Sequence, residues 1–279
     1  MAYKSILLHL DGGARDETAL GVALAIAEQE AAHLAALHVI YPFTAALATF
    51  GDAAGGVIAD IGQDYFDAAR AAAAAELRQM VERHADQAGI SVEWRLEEGL
   101  ADEIVPLQAR YADLTVANQI DPTSEDAPCK IGLVVNIVMH YGRPILLVPC
   151  AGTFAAPGKR VLIAWNCSRE AARAVNDAMP FLRRAELVSV LSINPREADH
   201  IAGYDISNHI ARHGAKAEAL RTVSGDVSVG ELLLSEAADL DAGMIVMGAY
   251  GHSRLMQFVM GGASRQILES MTVPVFMAH

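Results

Sequence analysis

Residues 244–264, with the sequence MIVMGAYGHSRLMQFVMGGAS, form the stretch around which the rest of the chain is organised. The stretch starts with a short apolar run, 244–247, passes through Gly248 and Gly251, and ends in the small residues 261–264. Glycines allow the backbone to come close to a ligand, and the N–H groups at the start of a helix favour negative charge. A strand that ends in a glycine turn and leads towards a helix therefore indicates a phosphate-binding site.

The spacing of these glycines differs from that of the two common phosphate-binding motifs. Neither G-x-x-x-x-G-K-[ST] nor G-x-G-x-x-G occurs in the sequence. The spacing G-x2-G-x9-G instead resembles the ATP-binding motif of the universal stress protein family, with matches at Gly248, Gly251 and Gly261. Ser264 matches a hydroxyl position of that motif, whereas Gly262 stands where the family usually has Ser or Thr. The alternative is a tight turn with a close helix contact and no ligand.

The composition narrows the class of protein. The chain has 279 residues, enough for two domains, and 53% of them are apolar, so each domain can bury a sizeable core. The formal net charge of −13 argues against a nucleic-acid-binding protein, because such affinity rests largely on Lys and Arg. The three cysteines, Cys129, Cys150 and Cys167, form no C-x-x-C pair, which suits a reducing compartment and offers no metal framework.

The apolar runs of the sequence are all short. The run before Asp11 is too short for a signal peptide, and the run at 131–139 is too short to span a membrane. We therefore expect a cytoplasmic protein that binds neither a membrane nor nucleic acid.

Strand-like and helix-like segments alternate along the chain, and the same order occurs twice. This alternation predicts an α/β fold made of two tandem, doubly wound parallel-sheet domains of Rossmann-like type, with helices on both faces. The predicted domains are 1–150 and 159–279, joined by a linker. The predicted strands are 5–10, 34–40, 91–96, 114–117, 145–148, 160–164, 187–193, 217–223, 244–247 and 273–277. The predicted helices are 16–32, 63–88, 101–111, 130–141, 168–182, 199–213 and 227–238, with Ser168 as an N-cap.

The two halves also resemble each other in residues. Pro144 and Pro274, each just before an apolar strand, are 130 positions apart, and both halves resemble single universal stress domains. The same offset replaces the motif glycines of the second half by other residues in the first: Gly248 by Asn118, Gly251 by Asp121 and Gly261 by Ile131. The first half is therefore predicted to be a degenerate copy, and the second half to hold the nucleotide.

The resemblance also implies which other residues contact the ligand. The family often has an acidic residue after the first strand, where this chain has Asp11 in the first half and Asn166 in the second. The neighbouring Trp165 either stacks on adenine or packs in the core. The full set of predicted nucleotide-binding residues is Ala164, Trp165, Asn166, Ile193, Met247, Gly248, Gly251, His252, Ser253, Arg254, Gly261, Gly262, Ala263 and Ser264. No residue is assigned a catalytic or a metal-binding role.

By resemblance, the expected function is binding of ATP, ADP or AMP, with Mg²⁺ as an accompanying ion, in a regulatory stress response. The resemblance further implies pairing of the two halves through their last strands, a homodimer and an unidentified protein partner. Two rival functions remain open: a nucleotide-free adaptor, and a slow ATPase or phosphotransferase. Asp205, His209 and His213 share one helix face, which offers a weaker zinc hypothesis. Residues 45–61 are weakly patterned and are expected to be locally disordered or ordered only at an oligomer contact.

Overall fold

The strands of the chain form one sheet that runs through both halves. The computed structural model describes residues 2–42, 62–119, 133–140, 142–154, 157–195, 203–249 and 262–279. The strands are β1 Ser5–Leu10, β2 His33–Ile40, β3 Val92–Glu98, β4 Leu114–Asn118, β5 Ile145–Val148, β6 Arg160–Ala164, β7 Leu187–Ile193, β8 Ala217–Thr222, β9 Met244–Gly248 and β10 Val275–Ala278. The ten-stranded sheet has the order β3-β2-β1-β4-β5-β10-β9-β6-β7-β8. The two halves therefore repeat the same five-strand order about a central seam, and the predicted α/β fold class is confirmed.

Helices cover both faces of this sheet. They are α1 Asp16–Glu30, α2 Gln63–Ala88, α3 Ala101–Ala109, α4 Arg169–Asp177, α5 Met179–Arg184, α6 Tyr204–Arg212, α7 Val229–Asp239, α8 Gly262–Ser270 and a π-helical turn Asn136–His140. Side chains from α1, α2, α4, α5 and α6 pack in one core cluster, and those from α3, the π-helical turn, α7 and α8 in the other. Along β1, Ile6 and Leu8 belong to the first cluster and Leu7 to the second, as the strand period of two requires. Strands buried on both faces explain the continuous apolar runs in the sequence.

The two halves meet at an antiparallel pair of strands. β5 and β10 pair in the register Leu146↔Phe276, while the other strand pairs of the sheet are parallel. Next to this seam, Tyr3 Oη donates a hydrogen bond of 2.6 Å to the carbonyl of Asp177. Both core clusters contain residues of both halves, so the core is continuous across the seam. The expected pairing through the last strands is therefore confirmed.

The predicted helix at 168–182 is wrong, because the structure divides it into α4 and α5. α4 ends at Asp177, and Pro180 lies in the first turn of α5. Proline has no N–H and favours the start of a helix, so the two short helices meet at this point. The break brings the ring of Phe181 to within 6.0 Å, centroid to centroid, of the ring of Phe276 at the seam. The expected N-cap is confirmed, since Ser168 Oγ accepts a hydrogen bond from the N–H of Ala171 at 3.1 Å.

Several predicted elements lie partly or wholly outside the described residues. The helix predicted at 130–141 is described from residue 133, and it ends in the π-helical turn rather than as a regular α-helix. The helix predicted at 199–213 is described from Gly203 onward, and it begins at Tyr204. The stretch 45–61 lies outside the described residues. Within the described part of the chain, no helix is both long and apolar enough to cross a membrane.

Candidate functional site

The carboxyl ends of β6 and β9 lie side by side where the strand order of the second half reverses. β6 pairs with β7 on one side and with β9 on the other, and Ala164 of β6 is in register with Met247 of β9. Beyond the strand, the N–H of Trp165 donates to the carbonyl of Leu191 at 2.9 Å. Ligands of open α/β sheets bind outside the carboxyl ends of the strands at such a reversal. The structure thus brings the predicted residues Ala164, Trp165 and Met247 together at this edge.

The turn that follows β6 is held by its own side chains. Asn166 Oδ1 accepts a hydrogen bond from the N–H of Ser168 at 3.1 Å, and Cys167 has a left-handed φ of 60°. In the first half, Asp11 Oδ1 accepts from the N–H of Gly13 at 2.9 Å in the corresponding turn. Asn166 and Asp11 therefore hold the same place in the two halves, and either side chain can close the turn.

Gly248 at the end of β9 has a packing role. A Cβ added to it would lie 2.5 Å from the backbone nitrogen of Ala171 and 2.6 Å from the carbonyl carbon of Glu170. The first turn of α4 therefore comes directly against the strand, and only glycine permits this approach. This close helix contact is the alternative that the sequence left open, and at Gly248 it explains the residue without a ligand.

Gly262 has no such packing role. It is exposed at the first described position of α8, and a Cβ added to it would meet no atom of the described residues within 4 Å. Ala263 is half-buried and Ser264 is buried, so α8 packs tightly only from its third residue onward. The first N–H groups of a helix have no partner within it and favour an anion. Among the described residues, none packs against Gly262 at the start of α8.

The remaining predicted residues divide between the core and the part of the chain that is not described. Trp165 is half-buried and packs against the first core cluster, which supports its role in packing. Ile193 is half-buried at the end of β7 and packs against the second cluster. A groove opens beside it at the carboxyl ends of β7 and β8, lined by Asn194, Pro195, Arg221, Thr222 and Val223. The other predicted residues lie outside the described residues: Gly251, His252, Ser253, Arg254 and Gly261.

In the first half, the carboxylate of Asp16 lies at the ends of β1 and β4, which correspond to the ends of β6 and β9 in the second half. Its Oδ1 accepts from Asn118 Nδ2 at 2.7 Å and from the N–H of Asp11 at 3.2 Å, and its Oδ2 accepts from the N–H of Gly12 at 2.8 Å. The side chain is only 1% exposed. Burial, and then the charge of Asp11, raise the pKa of Asp16 to about 7, although the two backbone N–H groups oppose the shift.

The two halves differ at a pair of positions beside these strand ends. Strand register places Asp16 and Asn118 of the first half where the second half has Ala171 and Gly248. The sequence interpretation missed Asp16, because an acidic residue in the first turn of a helix is common and has a general electrostatic explanation. The available signal was the joint change of both positions, from an acid and an amide to two small residues.

The zinc hypothesis gains no support from the described residues. The rings of His209 and His213 lie 4.5 Å apart, centroid to centroid, and His213 Nδ1 is 2.9 Å from the carbonyl oxygen of His209. Among the residues that the structure describes, no group of three His, Cys, Asp or Glu side chains is arranged to hold a metal ion.

Comparison with known proteins gives a family for the second half. Residues 158–279 match the model of the universal stress protein family. No curated protein matches the sequence.

Comparison of structures extends the likeness to the whole chain. A universal stress protein from Archaeoglobus fulgidus superposes with a TM-score of 0.70 and 16% identity, covering 98% of this chain and 95% of that one. A protein of Pseudomonas aeruginosa UCBPP-PA14, provisionally assigned to that family, superposes with a TM-score of 0.61 and 18% identity. The match covers 99% of this chain and 93% of that one. A functionally unknown protein of Pseudomonas aeruginosa PAO1 superposes with a TM-score of 0.60 and 18% identity. The match covers 99% of this chain and 92% of that one. At these identities the likeness establishes the fold alone. Residues 158–279 therefore belong to the universal stress protein family, and the full chain shares the fold of the universal stress protein from Archaeoglobus fulgidus.

Proposed function

We propose that the second half of the chain binds an adenine nucleotide at the carboxyl ends of β6 and β9, as part of a regulatory stress response. The observation that carries this proposal is the place of Ala164 and Met247, in register at the reversal of strand order. The glycine spacing of the sequence begins at this same edge, at Gly248. The adenine would lie near Ala164 and Ile193, beside the groove at the ends of β7 and β8.

The open start of α8 supports placing the phosphates there. Gly262 is exposed and is not needed for packing, so its N–H and those of the following residues are available to an anion. The groove near Ile193 contains Arg221, a cation in a chain with a formal net charge of −13. Mg²⁺ is proposed to accompany the phosphates, as the resemblance to the family implies.

The first half is proposed to bind no nucleotide. The carboxylate of Asp16 already takes the N–H groups of Asp11 and Gly12 at the equivalent strand ends. Its raised pKa leaves it partly ionised near neutral pH, and a negative charge there would repel phosphate. One nucleotide per chain is therefore the proposed stoichiometry.

The bound nucleotide is proposed to be held rather than consumed. Efficient phosphoryl transfer needs a positioned nucleophile and strong stabilisation of charge on the transferring group. The glycine motif contains no lysine of the P-loop kind, and Asn166 has an amide where the family often has a carboxylate. The Oδ1 of that amide already accepts from the N–H of Ser168, so it is committed to the turn.

An adaptor that works through a protein partner without nucleotide is the second candidate. Gly248 is explained by the approach of α4, and Trp165 by core packing, so neither residue requires a ligand. The family's usual hydroxyl is also missing at Gly262.

Titration calorimetry with ATP, together with mass spectrometry of small molecules released from the purified protein, separates the two functions. Gly262→Asp adds a negative charge at the start of α8, where there is open space, and should weaken nucleotide binding at least tenfold without loss of stability. Gly21→Asp is the matched control, because Gly21 is an exposed glycine of α1 that also faces open space. Absence of any nucleotide, bound or titrated, would favour the adaptor.

A further inference from the structure

Gln119, at the end of β4 in the first half, makes a buried contact with the second half. The residue is 8% exposed. Its Nε2 donates to the carbonyl of Leu268 in α8 at 2.9 Å, and its Oε1 accepts from the N–H of Cys150 at 2.8 Å. Its own N–H donates to the carbonyl of Val148 at 2.7 Å. The side-chain amide is therefore held firmly between the two halves.

The acceptor of this contact is a helix end that needs a partner. Leu268 lies in the last turn of α8, which runs from Gly262 to Ser270. The last four carbonyls of an α-helix have no donor within the helix, and burying one unpaired is costly. Leu268 is itself 3% exposed. Gln119 thus supplies, from the other half of the chain, a donor that the end of α8 lacks.

Among the described residues, this contact has no counterpart from the second half to a helix of the first. Ala249 follows β9 at the position that Gln119 has after β4, and its N–H donates to the carbonyl of Ala278 at 2.9 Å. Alanine has no amide, so it cannot hold a helix of the first half in the same way. In the described part of the chain, this side-chain link therefore runs from the first half to the half that carries the glycine motif.

The other end of α8 is the candidate phosphate site. α8 has nine residues and begins at Gly262, so a tilt at Leu268 moves its open N-terminus. Within its own half, α8 is held by packing on α7 and by the hydrogen bond that Ser228 Oγ donates to Gln266 Oε1 at 2.6 Å. Gln119, from the first half, holds the last turn of α8 through the carbonyl of Leu268. The two attachments together set the direction in which the first N–H groups of α8 point.

We infer that Gln119 is a positioning residue, through which the first half orients α8 and so tunes nucleotide affinity in the second half. This inference rests on the proposed function of that site. The first half would then serve as a support for the site of its neighbour, rather than as a second binding site.

The test is Gln119→Met, which keeps the length of the side chain and removes the amide. The matched control is Asn136→Leu, because Asn136 Nδ2 donates to the carbonyl of Asp102 at 3.1 Å, a half-buried amide contact wholly within the first half. We expect Gln119→Met to raise hydrogen exchange in α8 about tenfold and to weaken ATP binding by a similar factor. Asn136→Leu should leave both unchanged while lowering overall stability.

Two readouts keep this inference separate from the proposed function. Unchanged exchange in α8 of Gln119→Met would overturn the inference, as would faster exchange with unchanged ATP affinity. A wild-type protein that binds no nucleotide would overturn the proposed function, and with it the effect on affinity, while hydrogen exchange would still decide whether Gln119 holds α8. If Gln119→Met does not fold, Gln119→Glu takes its place, since it keeps the acceptor for Cys150 and loses the donor for Leu268.

Discussion

Asn118 Nδ2 donates to Asp16 Oδ1 at 2.7 Å, and this contact fills the strand ends of the first half with the protein's own carboxylate. The second half has Gly248 against Ala171 at the same place, with no charged group between the two. The two halves therefore share one architecture but differ in the residues at the carboxyl ends of their strands.

This contact predicts that each chain binds a single nucleotide. Calorimetric titration of the full chain with ATP should give a stoichiometry of one, because the N–H groups of Asp11 and Gly12 are already taken by Asp16. Asp16→Ala should leave the affinity of the second-half site unchanged, since the hydrogen bonds of Asp16 are all to residues of the first half. Two equivalent sites in the wild-type protein would show that the carboxylate does not block the first half.

The raised pKa of Asp16 predicts a specific pH dependence of stability. The pKa is about 7 in the folded protein against a usual value of 3.8, so between these values the unfolded chain releases a proton that the folded protein keeps. The free energy of unfolding should therefore fall as the pH rises from about 4 to 7. Asp11→Asn removes the neighbouring charge and should make the free energy of unfolding less dependent on pH. Each lowering of the Asp16 pKa by one should reduce the loss of stability by about 1.4 kcal/mol.

Urea denaturation at pH 4.5 and pH 7.5 measures the effect. The amide at position 11 should keep the turn, because Asn166 closes the same turn in the second half. Glu28→Gln is the control, since it removes an exposed charge of α1 far from this turn. An equal pH slope in Asp11→Asn and the wild-type protein would mean that Asp11 does not influence Asp16.

Gly248→Ala should destabilise the protein whether or not nucleotide is present. The added Cβ would lie 2.5 Å from the backbone nitrogen of Ala171, and backbone cannot move aside as easily as a side chain. We expect a loss of about 1–3 kcal/mol in the free energy of unfolding, typical of overpacking. Gly21→Ala is the control and should stabilise by roughly 0.5–1 kcal/mol, since it replaces an exposed helix glycine that faces open space. Equal stability of Gly248→Ala and the wild-type protein would show that α4 can shift away from β9.

The turnover of ATP should lie well below the typical enzyme range of about 1 to 10³ per second. The reason is the absence of a P-loop lysine from the motif and the engagement of Asn166 within its own turn. Phosphate release with Mg²⁺, on protein freed of contaminating ATPases, is the measurement. Ordinary enzyme turnover that is lost in His252→Ala would place the enzyme function first, because that imidazole can titrate near neutral pH.

The sequence predicted the central strands well because they are short apolar runs between clear turn residues, whereas the outer strand β3 was predicted from its alternation of apolar and polar residues. The repeat of 130 positions identified β5 and β10 as equivalent strands, since Pro144 and Pro274 precede them, and the family resemblance implied that they pair. Pro180 indicated a break between α4 and α5, but the apolar periodicity continues through this residue and favoured a single helix.

The contacts that distinguish the two edges could not be predicted in the same way. Asp16 and Asn118 are 102 residues apart, and Gln119 and Leu268 are 149 apart. Each pair meets only after the sheet has formed, and no local pattern in the sequence marks either member. For this reason the missing glycines of the first half were visible in the sequence, whereas the carboxylate of Asp16 at its strand ends was not.

The antiparallel seam between β5 and β10 has a consequence for assembly. In the part of the chain that the structure describes, the outer strands of the sheet are β3 and β8, and the last strands of both halves are already paired with each other. The homodimer that the resemblance implies would therefore have to use another surface. Because one polypeptide carries both partners of the seam, their encounter is intramolecular and does not depend on protein concentration. The paired arrangement should persist at dilutions where two separate domains would part.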